Sequence, residues 1–253
     1  MNDSRRGAAV LGAFIDAVGW EEALDRLLQW ARARQSRYVA ICNVHVVVSA
    51  WRDVAYRAVI NAADMATPDG APVAWMLRRL GFSRQPRISG PDLMSSLCQR
   101  CAQEGVAVFF YGSTEATLAA LLQRLKSDLP RLVIAGAEAP PFRALTPDED
   151  AAAVGRIHDS GAGIVFVGLG CPKQERWMAE HRGRVRAVMI GVGAAFDFHA
   201  GKVKRAPPWM RDHGLEWLHR LASEPRRLWR RYLVTNSIFL YAATRQLLNR
   251  KSL

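Results

Sequence analysis

The spacing of apolar residues changes repeatedly along this chain, and each change predicts an element. Trp20 to Arg34 carries Ala23, Leu24, Leu27, Leu28 and Ala31 at helical intervals. Tyr38 to Cys42 is a short apolar run that predicts the first buried strand, and Asn43 follows it. Val44 to Ala63 is too long for a strand and places Arg52, Asp53 and Arg57 at helical spacing, so it predicts one helix. Met65 to Thr67 is a second extended piece, closed by the turn signal Pro68-Asp69-Gly70, and Ala71 to Leu80 is helical again. Ser89-Gly90-Pro91-Asp92 opens a helix that runs to Glu104 and stops at Gly105. Val106 to Tyr111 predicts a strand, Gly112-Ser113-Thr114 a turn, and the residues to Ser127 a helix. Leu132 to Ala135 is another strand, and Thr146-Pro147 opens a helix that ends near Gly161. Ile164 to Val167 and Val185 to Ile190 predict the last two strands, each running into paired glycines.

Strands alternating with helices of about 10–15 residues predict an α/β fold, a Rossmann-like and mostly parallel sheet with helices on both faces. Such sheets bind ligands at the carboxyl ends of their strands. Here those ends carry Asn43, Asp69, Gly112-Ser113, Gly168 to Gln174 and Gly191 to Gly193. From Pro207 the pattern changes. Trp209, Trp217, Leu218, Leu221, Leu228, Trp229, Tyr232, Leu233 and Tyr241 alternate with arginines, which predicts two amphipathic helices broken near Pro225. The expected organisation is a catalytic α/β domain over 1–206 and a helical, membrane-associating appendage over 207–253. Basic residues interleaved with Trp, Tyr and Leu fit a helix lying on a membrane surface, and they equally fit a helical pair packed on the domain with a solvated basic face.

Composition sharpens this picture in one respect. The net charge is +12, and between Gly201 and Leu253 twelve Lys and Arg stand against three acids, so the tail carries most of it. An acidic partner follows: nucleic acid, anionic lipid or a phosphorylated substrate. A nucleic-acid-binding protein using the basic tail is the alternative to an enzyme, but no base-reading motif is present and the interleaved Trp and Leu favour lipid. Four cysteines make no disulfide framework, and Cys98 and Cys101 sit inside a helical pattern as core residues. No signal peptide is visible, and no run reaches the roughly 18 apolar residues of a spanning helix. A cytoplasmic protein, peripheral on the inner face of a membrane, is expected.

Candidate chemistry starts at Gly168-Leu169-Gly170-Cys171-Pro172-Lys173-Gln174-Glu175. Strand, glycine turn and helix start together present backbone donors where a phosphate could sit, although an ordinary strand-to-helix connection has the same form. Neither Gly168-Leu-Gly170 nor Gly191-Val-Gly193 completes a dinucleotide fingerprint, which speaks against an oxidoreductase, and no P-loop is present. The six histidines form no metal-binding pattern, so neither metal nor other cofactor is expected. Asp148-Glu-Asp150 matches the DxD that holds a metal in many sugar transferases, but it opens a helix, where acids favour the dipole. Asp69 is either a turn aspartate or a carboxylate free to take a proton from an attacking hydroxyl.

Several segments then occur in a telling order: Thr67-Pro-Asp-Gly70, Arg87-Ile-Ser-Gly-Pro-Asp-Leu93, Phe109-Phe-Tyr-Gly-Ser113, Val167 to Glu175, Gly191-Val-Gly-Ala-Ala-Phe-Asp-Phe198, Arg205-Ala-Pro207, Gly214-Leu-Glu-Trp-Leu-His-Arg220 and Glu224-Pro-Arg-Arg227. The chain resembles the WecG/TagA/CpsF glycosyltransferases from about Ile41 to Arg231. The resemblance implies an inverting, metal-independent transfer of a hexose from a UDP-sugar to a sugar on an undecaprenyl-diphosphate carrier, for bacterial polysaccharides. It implies Asp69 as catalytic base and Asn43 near the acceptor or base. It also implies Gln174 as pocket glutamine, and Arg220, Arg227 and Arg230 as arginines that close over the site and hold diphosphate. Gly112, Gly168, Gly170 and Lys173 complete the expected substrate-binding set. Members often carry Thr where Ile41 stands here, so one hydroxyl contact is lost. Glucose, N-acetylmannosamine and its uronic acid are all possible donor sugars. Self-association is a further expectation, and nucleic acid is not an expected partner.

Overall fold

The computed structural model describes residues 5–250. Its centre is a six-stranded sheet in the order β4-β3-β8-β7-β5-β6, formed by β3 (Arg37–Cys42), β4 (Met65–Pro68), β5 (Val108–Gly112), β6 (Ile134–Glu138), β7 (Ile164–Gly168) and β8 (Val188–Gly191). The β3/β8, β8/β7, β7/β5 and β5/β6 pairs run parallel, with Phe110 opposite Phe166 and Val167 opposite Gly191. Every residue of β4, β5 and β8 is buried, as parallel strands covered by helices require. The α/β, Rossmann-like class predicted from the sequence is therefore the observed one.

Contacts divide the chain into two compact units, and β3 begins in one and ends in the other. Among the described residues the first unit holds 5–19, 41–89 and 204–250. A hairpin of β1 (Gly7–Val10) and β2 (Ala13–Asp16) belongs to it and was not predicted. The turn is Leu11-Gly12, with both residues at positive φ (51° and 85°), and Leu is rare at such a position, so the usual Asn-Gly hairpin signal is missing. Asp16, almost fully buried, is held by Arg5 at 2.7 Å, and Arg5 also donates to the Asn61 and Ala63 carbonyls.

The single helix predicted over 44–63 is two, α2 (Val44–Arg52) and α3 (Val54–Asn61). Asp53 divides them: it adopts an extended backbone, ends α2, and its side chain accepts from Tyr56 N at 3.0 Å as the cap of α3. After β4 comes α4 (Ala71–Arg79). The tail folds as α10 (Pro208–Asp212), α11 (Glu216–Ser223) and α12 (Pro225–Arg250), so the break at Pro225 is present with one more helix than expected. One stripe of α12, with Leu228, Phe239, Ala242 and Ala243, is buried, and the helix packs on α2. Gln246 bonds the hairpin through Leu11 N and the Ala9 carbonyl. The opposite stripe leaves Trp229, Leu233, Leu240 and Tyr241 exposed, Leu240 at 70%. The tail therefore has a packed face and an exposed aromatic-aliphatic one.

The second unit holds residues 20–40 and 90–203. Its helices are α1 (Trp20–Arg32), α5 (Gly90–Glu104), α6 (Glu115–Asp128), α7 (Pro147–Asp159), α8 (Lys173–Glu180) and α9 (Ala195–His199). Cys98 and Cys101 are fully buried on α5, where burial pushes the Cys101 thiol up to about 12 and the Cys98 thiol higher still, as inert core residues. β6 and β8 start two and three residues later than expected, because the apolar residues before them lie in the approach to the strand. α7 begins in a capping box between Thr146 and Glu149, and Asp150 accepts from His181 and Arg184 at 2.8 and 2.7 Å. The acids of Asp148-Glu-Asp150 are helix-start acids.

This arrangement carries an acid-stability prediction. The Arg143 side chain, with the Thr146 amide, holds the exposed Glu149 carboxyl down to about 2 from an ordinary 4.5. A carboxylate depressed in the folded state stabilises fully above its unfolded value and loses that contribution as pH falls toward the folded one. Melting temperature should therefore drop between about pH 4.5 and 2, and Arg143→Ala should shrink that drop. Superimposable pH–melting curves would exclude the pair from acid stability.

Candidate active site

In the first unit the site grows from the carboxyl ends of β3 and β4. The Asp69 amide donates to the Cys42 carbonyl at 3.0 Å, which sets the Asp69 turn beside the residue preceding Asn43. Asn43 caps α2: its side chain accepts from Val46 N at 3.1 Å, leaving its amide group for other work. Asp69 is half-buried, and Gly70 beyond it sits at φ 81°, a left-handed conformation that suits glycine. The Pro68 carbonyl accepts from Ile88 N at 2.9 Å, which ties the Arg87–Ser89 segment to the same turn.

His45, the second residue of α2, belongs to no metal pattern in the sequence. Its Nδ1 is buried with no hydrogen-bond partner among the described residues. Burial, and then the Arg231 guanidinium, hold the imidazole below its ordinary range, so it is neutral at neutral pH. Of the expected arginines, Arg220 is half-buried on α11 with Glu224 at 3.9 Å. Arg230 is exposed and lies over its neighbour Trp229, 5.3 Å from the ring centroid. The Arg227 side chain lies outside the described residues. Arg231, not expected from the sequence, is the half-buried one of its pair. Ile41 is buried in β3 and adds no polar group. Arg87 donates to Glu216 at 2.8 Å, and Arg205 approaches the other oxygen of Glu216 at 3.8 Å.

In the second unit the glycines form a stacked edge. Gly112 ends β5 at φ 119° and is buried; a Cβ there would stand 2.7 Å from the Gly168 carbonyl carbon. Ser113, also at positive φ, donates from its amide to the Gly168 carbonyl at 3.1 Å. A Cβ on Gly168 would meet the Phe196 ring at 2.7 Å, while Gly170 (φ 79°) faces open space. Gln174 is 4% exposed: its Nε2 donates to Glu175 at 2.7 Å and its Oε1 accepts from Gly193 N at 3.1 Å. It thereby fastens the loop after β7 to the glycine turn after β8. Lys173, first residue of α8, is exposed. The Gln174 amide already donates to the Gly170 carbonyl, so one of the helix-start donors read from the sequence is engaged internally. Trp177 stacks on Tyr111 and His181 at 4.6 and 4.1 Å and stiffens α8 behind the loop. Among the described residues no group of three or more His, Cys, Asp or Glu is gathered as a metal would need.

Chemically, the first unit offers a carboxylate beside a capped helix start and an arginine-rich set, and the second a close-packed glycine edge with a lysine. A proton acceptor and a surplus of guanidinium groups suit transfer onto a hydroxyl with an anionic leaving group. Comparison with known proteins agrees with that chemistry. The family model described as the glycosyl transferase WecG/TagA/CpsF family matches residues 8–253. A protein of Bacillus spizizenii named N-acetylglucosaminyldiphosphoundecaprenol N-acetyl-beta-D-mannosaminyltransferase is 36% identical over 197 residues, which cover 78% of this chain and 74% of the relative.

Proposed function

The chain belongs to the WecG/TagA/CpsF family of glycosyltransferases, and from that premise we propose an inverting transfer of a hexose from a UDP-sugar to a sugar carried on a lipid diphosphate. The observation that carries the reading is the half-buried Asp69 carboxylate on the turn after β4, next to the residue that leads into Asn43. Asp69 takes the proton of the acceptor hydroxyl as that oxygen attacks the anomeric carbon in a single displacement. Asn43 directs the acceptor with its free amide group. UDP leaves as negative charge grows on its diphosphate, and Arg220, Arg227 and Arg230 neutralise it, each charged hydrogen bond contributing about 1.5–3 kcal/mol. Gly112, Gly168 and Gly170 shape the loop edge for the donor, Gln174 braces that edge, and Lys173 adds a cation. The name of the Bacillus relative makes N-acetylmannosamine the first donor to test, ahead of its uronic acid and glucose.

No helix among the described residues is long and apolar enough to cross a membrane. We place the protein on the inner face of the membrane through the exposed Trp, Leu and Tyr of α10–α12 and their arginines, where a lipid-linked acceptor is presented. The deciding assay offers several UDP-hexoses with a lipid-diphosphate sugar and determines the product linkage. Transfer with inversion supports the reading; retention of configuration overturns the single displacement. Turnover is expected to survive excess EDTA, because the arginines take the role of a metal. An enzyme silenced by EDTA and revived by Mg²⁺ would end the metal-free mechanism.

A further inference from the structure

Glu216 opens α11, four residues before Arg220, and receives two arginines from two other segments. Arg87 donates to one carboxylate oxygen at 2.8 Å, and Arg205 stands 3.8 Å from the other. All three side chains are only 20–24% exposed, so water screens this set weakly. Arg87 is not isolated from the Asp69 turn. The next amide, Ile88 N, donates to the Pro68 carbonyl at 2.9 Å, one residue before Asp69. A second contact reaches the same turn from the other side. Gly214, at φ 72° between α10 and α11, approaches Ala71 so closely that a Cβ on it would lie 2.6 Å from the Ala71 Cβ. Ala71 begins α4, two residues after Asp69. The start of α11 is therefore fastened to both flanks of the Asp69 turn, by packing at Gly214 and by charge at Glu216.

We infer that Glu216 is a positioning residue: its carboxylate joins Arg87 and Arg205 and thereby fixes α11, and with it Arg220, relative to Asp69. The inference rests on the transferase reading above, in which Asp69 takes the proton and Arg220 meets the diphosphate. A carboxylate is needed because it can face two guanidinium groups at once, one on each oxygen. It also keeps Arg87 and Arg205 from repelling each other.

The test compares the full chain with Glu216→Gln, Glu216→Asp, Arg87→Gln and the Arg87→Gln/Glu216→Gln pair. Neutralising Glu216 leaves two weakly screened arginines facing each other, so melting temperature should fall in Glu216→Gln and less in Glu216→Asp. Amide hydrogen exchange across Glu216–Ser223 should accelerate in Glu216→Gln and much less in Glu216→Asp. Turnover should fall about ten- to hundredfold in Glu216→Gln, as for other small misplacements of catalytic groups, with partial recovery in Glu216→Asp. The pair should be no worse than its weaker member, since both substitutions break one link. Unchanged exchange in α11, unchanged turnover, or full additivity of the two substitutions would each overturn the inference. If Glu216→Gln does not fold, Glu216→Asp read by exchange and turnover decides alone. A parent chain that transfers no sugar overturns the transferase reading instead, and the exchange measurement then still decides whether Glu216 fastens α11.

Discussion

Asp69→Asn is expected to lower turnover by about a hundredfold or more while UDP-sugar binding is kept. The amide matches the carboxylate in size and still accepts a hydrogen bond, but it cannot take the proton of an attacking hydroxyl. The turn itself should survive, because two backbone hydrogen bonds help to hold it: the Asp69 amide on the Cys42 carbonyl and Ile88 N on the Pro68 carbonyl. Steady-state kinetics together with a direct titration of UDP-sugar would separate the two effects. Near-normal turnover would strip Asp69 of its role, and lost donor binding with normal folding would recast it as a binding residue.

Gly112→Ala is expected to have the largest effect on the fold. A side chain at φ 119° is strained in any surroundings, and here the new Cβ would press to 2.7 Å from the Gly168 backbone. Backbone cannot swing aside as a side chain can. Overpacking of this kind costs about 1–3 kcal/mol, and the left-handed strain adds about 1–2 more. Because mesophile domains are stable by only about 5–15 kcal/mol, melting temperature should fall by roughly 5–15 °C. Calorimetry or a thermal melt checks this. An unchanged melting temperature would mean that the β5 and β7 ends can part without loss, and Gly112 would then be freed for a purely ligand-facing role. Gly170→Ala, which meets nothing within 4 Å, is the informative contrast: it carries left-handed strain without the clash.

The periodic segments were legible because their signals are local. Each strand of the sheet follows from a short apolar run, and the helix starts at Thr146 and Gly90 from their own turn chemistry. The site was partly legible for the same reason, since Asp69, Asn43 and the glycine edge all follow strand ends. Where local rules fell short, the deciding interaction was local but ambiguous, or not local at all. Asp53 reads as one polar residue of a helix until its backbone turns extended and its side chain caps α3. Leu11 at positive φ hides a hairpin that the buried Asp16 and distant Gln246 hold in place.

By itself, then, the chain's pattern determined an alternating α/β architecture, a tail that is both basic and aromatic, and an acid at a strand's carboxyl end. Periodicity and turn chemistry encode such features within a dozen residues of one another. Only the tertiary structure decided which side of α12 is buried, that Arg231 is half-buried where Arg230 is exposed, that Gln174 braces a loop from within, and that Glu216 faces Arg87 across more than a hundred residues of chain. Those facts depend on which segments pack together, and the free energy of packing belongs to pairs of distant residues rather than to any stretch of sequence.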